Sequence, residues 1–259
     1  MVPALPVVSG GSTHAVAHHE QRSSDVMLSV ATTPARPDTL ILDRGEFPGI
    51  DACQAAAREA HASGWMVYIG GSSLAFDPWP EQSAVQLIQR GLGVLPVYAP
   101  GSVTTDSAAS QGTEAASLAV QYGIPAGSLI LLDIEAHVFR SAPDETAAYI
   151  RDWNRAVRAN GYRPSTYSTA DGLAAVAALG ADTSDAAVVA AYPHPSKFWG
   201  PPSTAEAPIG AWPQARGWQF TNEIVLGGVN VDVTSINFPL ASGVGAHVSS
   251  GHRRGRPPP

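Results

Sequence analysis

The sequence predicts a single TIM-like (β/α)8 barrel, irregular in its last two β/α units, and three observations carry that expectation. The chain of 259 residues suits one barrel of ordinary size, roughly 200–250 residues, and is short for two independent domains. Eight apolar runs of strand length alternate with amphipathic, alanine-rich stretches. Runs such as LILL are apolar on both faces, as strands in a parallel sheet covered on both sides must be.

The runs follow in order. FPGIDA (47–52) is read as the first strand and WMVYIGG (65–71) as the second, then LGVLPVYA (92–99) and LILLDIE (129–135). RPSTYST (163–169), AAVVAAYP (186–193), GWQFT (217–221) and VNVDVTS (229–235) complete the set. Each is rich in β-branched or aromatic residues, and most are flanked by Gly or Pro. Helices are expected at Cys53–Ala62, Glu81–Arg90, Ser107–Tyr122, Pro143–Asn160 and Thr169–Leu179. The fourth carries Asp144 and Glu145 in its first turn, where they complement the helix dipole, and Gly161 closes it. The segment 194–216 is crowded with proline and holds no helical pattern, and 222–228 is too short for a helix. An open doubly wound sheet is disfavoured because no Gly-rich phosphate loop follows a first strand.

The barrel is expected over residues 41–240. Residues 1–40 lack periodicity and read as a disordered leader, in which His14, His18 and His19 are taken as unstructured polar residues rather than metal ligands. Residues 241–259, ending GHRRGRPPP, read as a disordered basic, Pro-rich tail.

Composition excludes several partners. A net charge of −7 and a pI near 5.5 leave no basic field to neutralise phosphates, so nucleic acid is not expected. No apolar run reaches the roughly 18 residues of a membrane span. The start MVPALPVVSGG lacks a basic n-region and is a poor secretion signal. Cys53 is alone, so no intrachain disulfide or cysteine-based zinc site can form. A nucleophilic role for Cys53 with His61 or His137 is weak beside ordinary burial. Clustered carboxylates can hold calcium or magnesium, but no metal, no cofactor and a monomer are expected.

The informative residues are carboxylates at strand ends, where a barrel gathers its active site. Asp51 is read at the end of the first strand, Asp133 and Glu135 at the end of the fourth, and Asp232 within the last. Asp133 and Glu135 are two apart, so on a strand they project to one face with Cα atoms about 6.6 Å apart. Mutual repulsion should make one of them hold its proton to higher pH, as acid-catalysed glycoside cleavage requires. Glu135, nearer the mouth and longer, is assigned the general acid. Tyr98, Tyr167, Tyr192 and Trp218, with Gln219, are read as sugar-binding residues, since aromatic rings stack on sugar faces and hydroxyls or amides bond sugar hydroxyls.

The motifs GIDACQ, GWMVYIGGSS, LPVYAP, QG-x-E-A-A from Gln111, LLDIEA, and the final WQF and GGVNVD resemble one family. It is the bacterial glycoside-hydrolase-like barrel known as domain of unknown function 1906, and the resemblance runs from about Phe47 to Phe238. That family is distantly similar to the family 25 glycoside hydrolases, muramidases that cut peptidoglycan. The resemblance implies Glu135 as catalytic acid and Asp133 as the group assisting the substrate's N-acetyl toward an oxazolinium-like intermediate. It also implies that Asp51 and Asp232 orient and charge the site. The expected function is therefore hydrolysis of a cell-wall amino-sugar glycan, with an extracytoplasmic or wall-associated location. The alternative is a barrel that binds such a glycan without turnover, since a fold alone does not establish an activity.

Overall fold

The computed structural model describes residues 32–33, 38–71, 77–101, 103–181, 183–198, 200, 202–208 and 216–243. The strands are β1 (Thr32–Thr33), β2 (Thr39–Asp43), β3 (Gly64–Gly70), β4 (Gly93–Tyr98), β5 (Leu129–Asp133), β6 (Arg163–Thr169), β7 (Ala186–Ala190), β8 (Arg216–Leu226), β9 (Val229–Ile236) and β10 (Leu240–Ala241). The helices are α1 (Ile50–Ala60), α2 (Gln82–Gln89), α3 (Thr105–Gln121), α4 (Ala136–Ser141), α5 (Pro143–Ala159) and α6 (Ala170–Ala178), with a 3-10 turn at Thr204–Glu206.

Strands β2 to β9 close a barrel in chain order. Each pairs with the next, and β9 returns to β2. The pairs from β2 to β8 are parallel, whereas β9 runs antiparallel to both neighbours. The expected irregularity of the last units is thus a hairpin in place of a helix. Its two-residue turn is Gly227–Gly228, with φ of 58° and 80°. Positive φ at both central residues is what a tight hairpin turn needs. The hairpin tip leans on α1, where the Gly227 amide donates to Glu59 Oε2 at 2.6 Å. Buried Ile224, Leu226, Val229 and Val231 fill the outer layer that a helix would otherwise cover.

One strand assignment is corrected. The first barrel strand is Thr39–Asp43, and FPGIDA (47–52) is a loop running into the first turn of α1. Gly49, at φ 93°, breaks the extended run and caps the helix. The true strand, TLILD, abuts the proline-rich stretch before it, and its start falls inside the expected leader. Residues before 32 and beyond 243 lie outside the described residues, with His14, His18 and His19; so do Trp199 and Trp212.

Side chains alternate across the barrel wall with the period of two that a strand imposes. Ile41, Met66, Leu95, Val97, Leu129, Leu131, Ala186, Val188 and Ile236 fill the interior. Their neighbours, among them Leu42, Val67, Ile69, Ile130, Leu132 and Val189, pack outward against the helices. After β9 the chain turns under the barrel, where Phe238 and Leu240 close its N-terminal end. Leu240 fits because Gly64 and Gly93 leave room: a Cβ on either would stand 2.7 Å from a Leu240 side-chain carbon. The far end of the barrel stays polar.

Candidate active site

The polar ring at the C-terminal mouth is one step above the apolar interior. Asp43 follows Ile41 by two residues, Tyr68 follows Met66, and Asp133 follows Leu131, so each continues the inward face of its strand. Tyr167 and Gln219 occupy the same step on β6 and β8. Asp232, on the antiparallel β9, stands opposite Asp43.

Gln219 organises this ring. Its Nε2 donates to Asp43 Oδ2 at 3.1 Å, while its Oε1 accepts from Tyr167 at 2.7 Å and also from Tyr192. The Tyr68 hydroxyl donates to the same Asp43 oxygen at 3.4 Å. The other oxygen, Asp43 Oδ1, is buried without a hydrogen-bond partner, and so is Asp133 Oδ1. Two unpartnered carboxylate oxygens in one mouth are costly unless a proton or a ligand meets them.

Burial, and then the charges of Asp232 and Asp133, push the Asp43 carboxyl well above the usual carboxylate range. Burial, with Glu135 beside it, raises Asp133 to about 7. Asp232 is also raised by burial, against a 2.8 Å hydrogen bond that its Oδ1 accepts from the Glu223 amide. The phenols of Tyr68 and Tyr167 are held neutral by the same desolvation, and that of Tyr192 is pushed up to about 12. The carboxyl of the Asp133–Glu135 pair that holds its proton is therefore the buried one, Asp133. Glu135 projects beside it at the start of α4 and is exposed, because Ile134 between them takes the outward direction into the core.

Three sequence expectations change. Asp51 does not end a strand: it lies in the first turn of α1, exposed, with Arg90 Nη1 at 3.6 Å. The carboxylate at the end of the first strand is Asp43, whose strand TLILD nearly repeats the LILLD of β5. That repetition was the available signal. Tyr98 follows the inward Val97 and so points outward, where its hydroxyl donates to Glu114 Oε2 on α3 at 2.7 Å. Trp218 precedes the inward Gln219, packs with the outer layer and donates its Nε1 to the Ala191 carbonyl at 2.8 Å. For Tyr98 and Trp218 strand parity decides the direction, and nearness to a strand end does not. Tyr68, at an inward position of the second strand, is an addition to the site.

Asp133, Glu135, Asp232, Tyr167, Tyr192 and Gln219 do gather at the mouth. Cys53 does not: it is fully buried in the outer layer, and burial raises its thiol to about 12. His61 caps the end of α1, and His137 is exposed on α4. Beside the ring a cleft of about 380 Å³ opens between the loop after β2 and the β9 strand, lined by Asp43, Arg44, Glu46, Tyr68, Asn230 and Asp232.

Comparison with known families fits this geometry. The profile of the Rv2525c-like, glycoside hydrolase-like domain matches residues 55–236. The chain belongs to that family. Solved structures share its fold at low identity. The modular autolysin LytC of Streptococcus pneumoniae aligns with a TM-score of 0.59 and 17% identity over 76% of this chain and 46% of that one. The spore cortex lytic enzyme SleM of Clostridium perfringens aligns at 0.55 and 17% identity, covering 79% of this chain and 69% of the other. The bacterial lysozyme of Streptomyces coelicolor aligns at 0.54 and 17% identity, covering 78% and 94%. No curated protein matches the sequence. Among the described residues, no helix of this glycoside hydrolase-like barrel is long and apolar enough to cross a membrane.

Proposed function

We propose that this barrel hydrolyses an amino-sugar glycan of the bacterial cell wall, with Glu135 as general acid and Asp133 assisting. The observation that carries this reading is the pairing of the buried Asp133 carboxyl, raised to about 7, with the solvent-facing Glu135 two residues on. The structural neighbours named above are, by name, an autolysin, a cortex lytic enzyme and a lysozyme, which supports the substrate class. Such a glycan lies outside the cell membrane, so the reading implies a protein that works there.

The chemistry follows from the side chains. Glu135 gives its proton to the glycosidic oxygen as the bond from the anomeric carbon to that oxygen breaks. The substrate's own acetamido oxygen bonds to the anomeric carbon, forming a cyclic, positively charged intermediate. As the acetamido N–H engages Asp133, the proton of the pair passes from Asp133 to Glu135, directly or through water, so that the ionised Asp133 accepts that hydrogen bond and Glu135 carries the proton it donates. Water then attacks the anomeric carbon, gives its proton to Glu135, and restores the acetamido group. Asp43, in the place the family resemblance had given to Asp51, and Asp232 supply carboxyls whose ionisation the growing cation favours, with Gln219 fixing Asp43.

Purified peptidoglycan incubated with the full chain should yield new reducing ends and soluble muropeptides by mass analysis. Glu135→Gln should lower the yield by about 10²-fold or more. Equal release by both proteins would refute the assignment. A second reading, a glycan-binding barrel without turnover, is favoured by the exposure of Glu135, which makes no capping bond to α4. It predicts binding with no new reducing ends.

A further inference from the structure

Another cavity lies at the opposite end of the barrel from the carboxylate ring. It opens where α1 and α2 finish and β3 and β4 begin, one helix length from the mouth, or about 16 Å for the 11-residue α1. Its volume is about 480 Å³. Arg58, His61 and Arg90 line it and are exposed, whereas Ala57, Ala62 and Leu92 on the same wall are buried or partly buried. No carboxylate lines it, although the chain as a whole carries a net charge of −7. Gln54 Oε1 accepts from Arg90 Nη1 at 2.6 Å and so ties that guanidinium from α2 to α1. The Asp51 carboxylate, 3.6 Å from the same Nη1 and 94% exposed, holds it little in water. Arg58 makes no ion pair with a described residue. Two cations are thus gathered at one cavity with little to neutralise them.

An arginine in a last turn also offsets the negative end of its helix, and that accounts for Arg58 taken alone. It does not account for His61. Helices α2, α3, α5 and α6 are each followed by a glycine at positive φ, namely Gly91, Gly123, Gly161 and Gly180 at 81°, 69°, 81° and 65°. After α1 the left-handed position is filled by His61, at φ 53°. A side chain is strained there where glycine is not, and this one brings an imidazole to the cavity wall. The nearby helix carbonyls are already occupied, since the Ala62 amide donates to Ala57 and the Leu92 amide to Leu87. We infer that this cavity binds the phosphate group of a small, soluble organic phosphate. A tetrahedral anion accepts from donors in several directions, as two guanidiniums and an imidazole on two helix ends provide, whereas a carboxylate is satisfied in one plane. The volume is that of a small-molecule site, about 300–1,000 Å³, with Ala57 and Leu92 to cover the organic part. A membrane surface fits less well. Among the described residues the exposed large hydrophobics are Val120, Leu179, Phe198 and Val225, and none lines this cavity to anchor it in lipid. The inference stands apart from the hydrolase reading of the mouth.

The test is titration of the isotope-labelled full chain with phenyl phosphate at constant ionic strength, followed by amide correlation spectra. Amides of residues 57–62 and 90–92 should shift and saturate with a Kd of about 1 mM or below, while those of Asp133 and Gln219 stay in place. Benzoate, which presents a carboxylate on the same ring, should bind about tenfold more weakly, and inorganic phosphate about threefold more weakly. Arg58→Gln and Arg90→Gln should each weaken phenyl phosphate binding about tenfold. His61→Gly should weaken it about threefold yet melt no lower than wild type, because glycine suits the left-handed turn. Lost binding in a variant that folds as well as its parent separates recognition from helix capping. No saturable shift at these amides, benzoate binding equal to phenyl phosphate, or an affinity unchanged by both arginine substitutions overturns the inference. Inorganic phosphate binding as tightly as the ester also overturns it, leaving an adventitious ion only. So does Arg58-dependent binding to phosphatidylglycerol vesicles without binding of phenyl phosphate, which makes the cavity a lipid-headgroup site.

Discussion

Asp43 and Asp232 face each other directly across the antiparallel β2–β9 pair, two carboxylates on adjoining strands with both acidities weakened by burial. Like charges placed opposite one another destabilise a sheet, and protonation relieves the repulsion. With Asp133 raised to about 7, the native mouth binds more protons than the unfolded chain, whose carboxyls titrate near 4. The stabilisation from Asp133 is complete below about pH 4 and is lost as pH rises through about 7, and Asp43 and Asp232 act in the same direction. Asp185, which its two arginines hold below the usual range, acts in the opposite sense, but only in stronger acid. The melting temperature should therefore fall between pH 5 and pH 8. Asp43→Asn should remove part of that slope, melting above wild type at pH 8 and no higher at pH 4.5 by scanning calorimetry. A wild-type melting temperature that rises over this interval would contradict the buried, proton-holding ring.

Activity separates the two carboxylates that compete for the first-strand role. Asp43 sits in the ring, bonded to Gln219 and Tyr68, whereas Asp51 is exposed on α1 near Arg90. Asp43→Asn should slow peptidoglycan cleavage by about tenfold or more, because it removes a carboxyl that can ionise as the cationic intermediate forms. Asp51→Asn should leave the rate within about twofold and stability within about 0.5 kcal/mol. Rates on one substrate preparation decide between them, and a large effect at Asp51 alone would reverse the assignment.

These contrasts show which parts of the site were legible in the sequence. Five helices and most strands announced themselves by periodicity, and Asp133, Glu135 and Asp232 by charge within apolar runs. Direction was harder. Tyr98 and Trp218 sit at strand ends as expected, but the strand's period of two sends each to the outer layer. Counting from an inward neighbour, Val97 or Gln219, would have settled both. Asp43 was hidden because its strand adjoins Pro34 and Pro37, while FPGIDA imitates a strand until Gly49 turns it into a helix. The hairpin closure required knowing that Gly227 and Gly228 both take positive φ, which a GG pair only suggests.

Gln219 should prove the most sensitive neutral residue of the ring. It is 1% exposed and serves Asp43, Tyr167 and Tyr192 together. Gln219→Leu keeps much of the volume but leaves those three groups without their shared partner. Each buried polar group so stranded costs about 1–3 kcal/mol, and protonation of Asp43 softens part of that. A loss of about 2–4 kcal/mol in urea unfolding is expected, with Tyr68→Phe costing less because its bond to Asp43 is long at 3.4 Å. Similar losses for the two variants would remove Gln219 from the centre of the network.

The hairpin that completes the barrel offers a test in which conformation and packing can be separated. Gly227 and Gly228 share one turn and the same sign of φ, but their surroundings differ. A Cβ at Gly227 would stand 2.4 Å from the Ala56 nitrogen of α1, whereas one at Gly228 would meet nothing within 4 Å. Left-handed backbone alone costs an alanine roughly 1–2 kcal/mol. Gly228→Ala should show about that much, and Gly228→Asn less, since asparagine tolerates this conformation. Gly227→Ala adds a collision with helix backbone, which can be relieved only by lifting the hairpin from α1 and weakening the Gly227–Glu59 bond. A loss of about 3 kcal/mol or more is expected there. The lifted hairpin also carries Asp232 and the Glu223 amide that holds it, so Gly227→Ala should lower activity further than its stability loss explains, when assayed well below its melting temperature. Equal costs at the two glycines would mean that the tip does not press on α1.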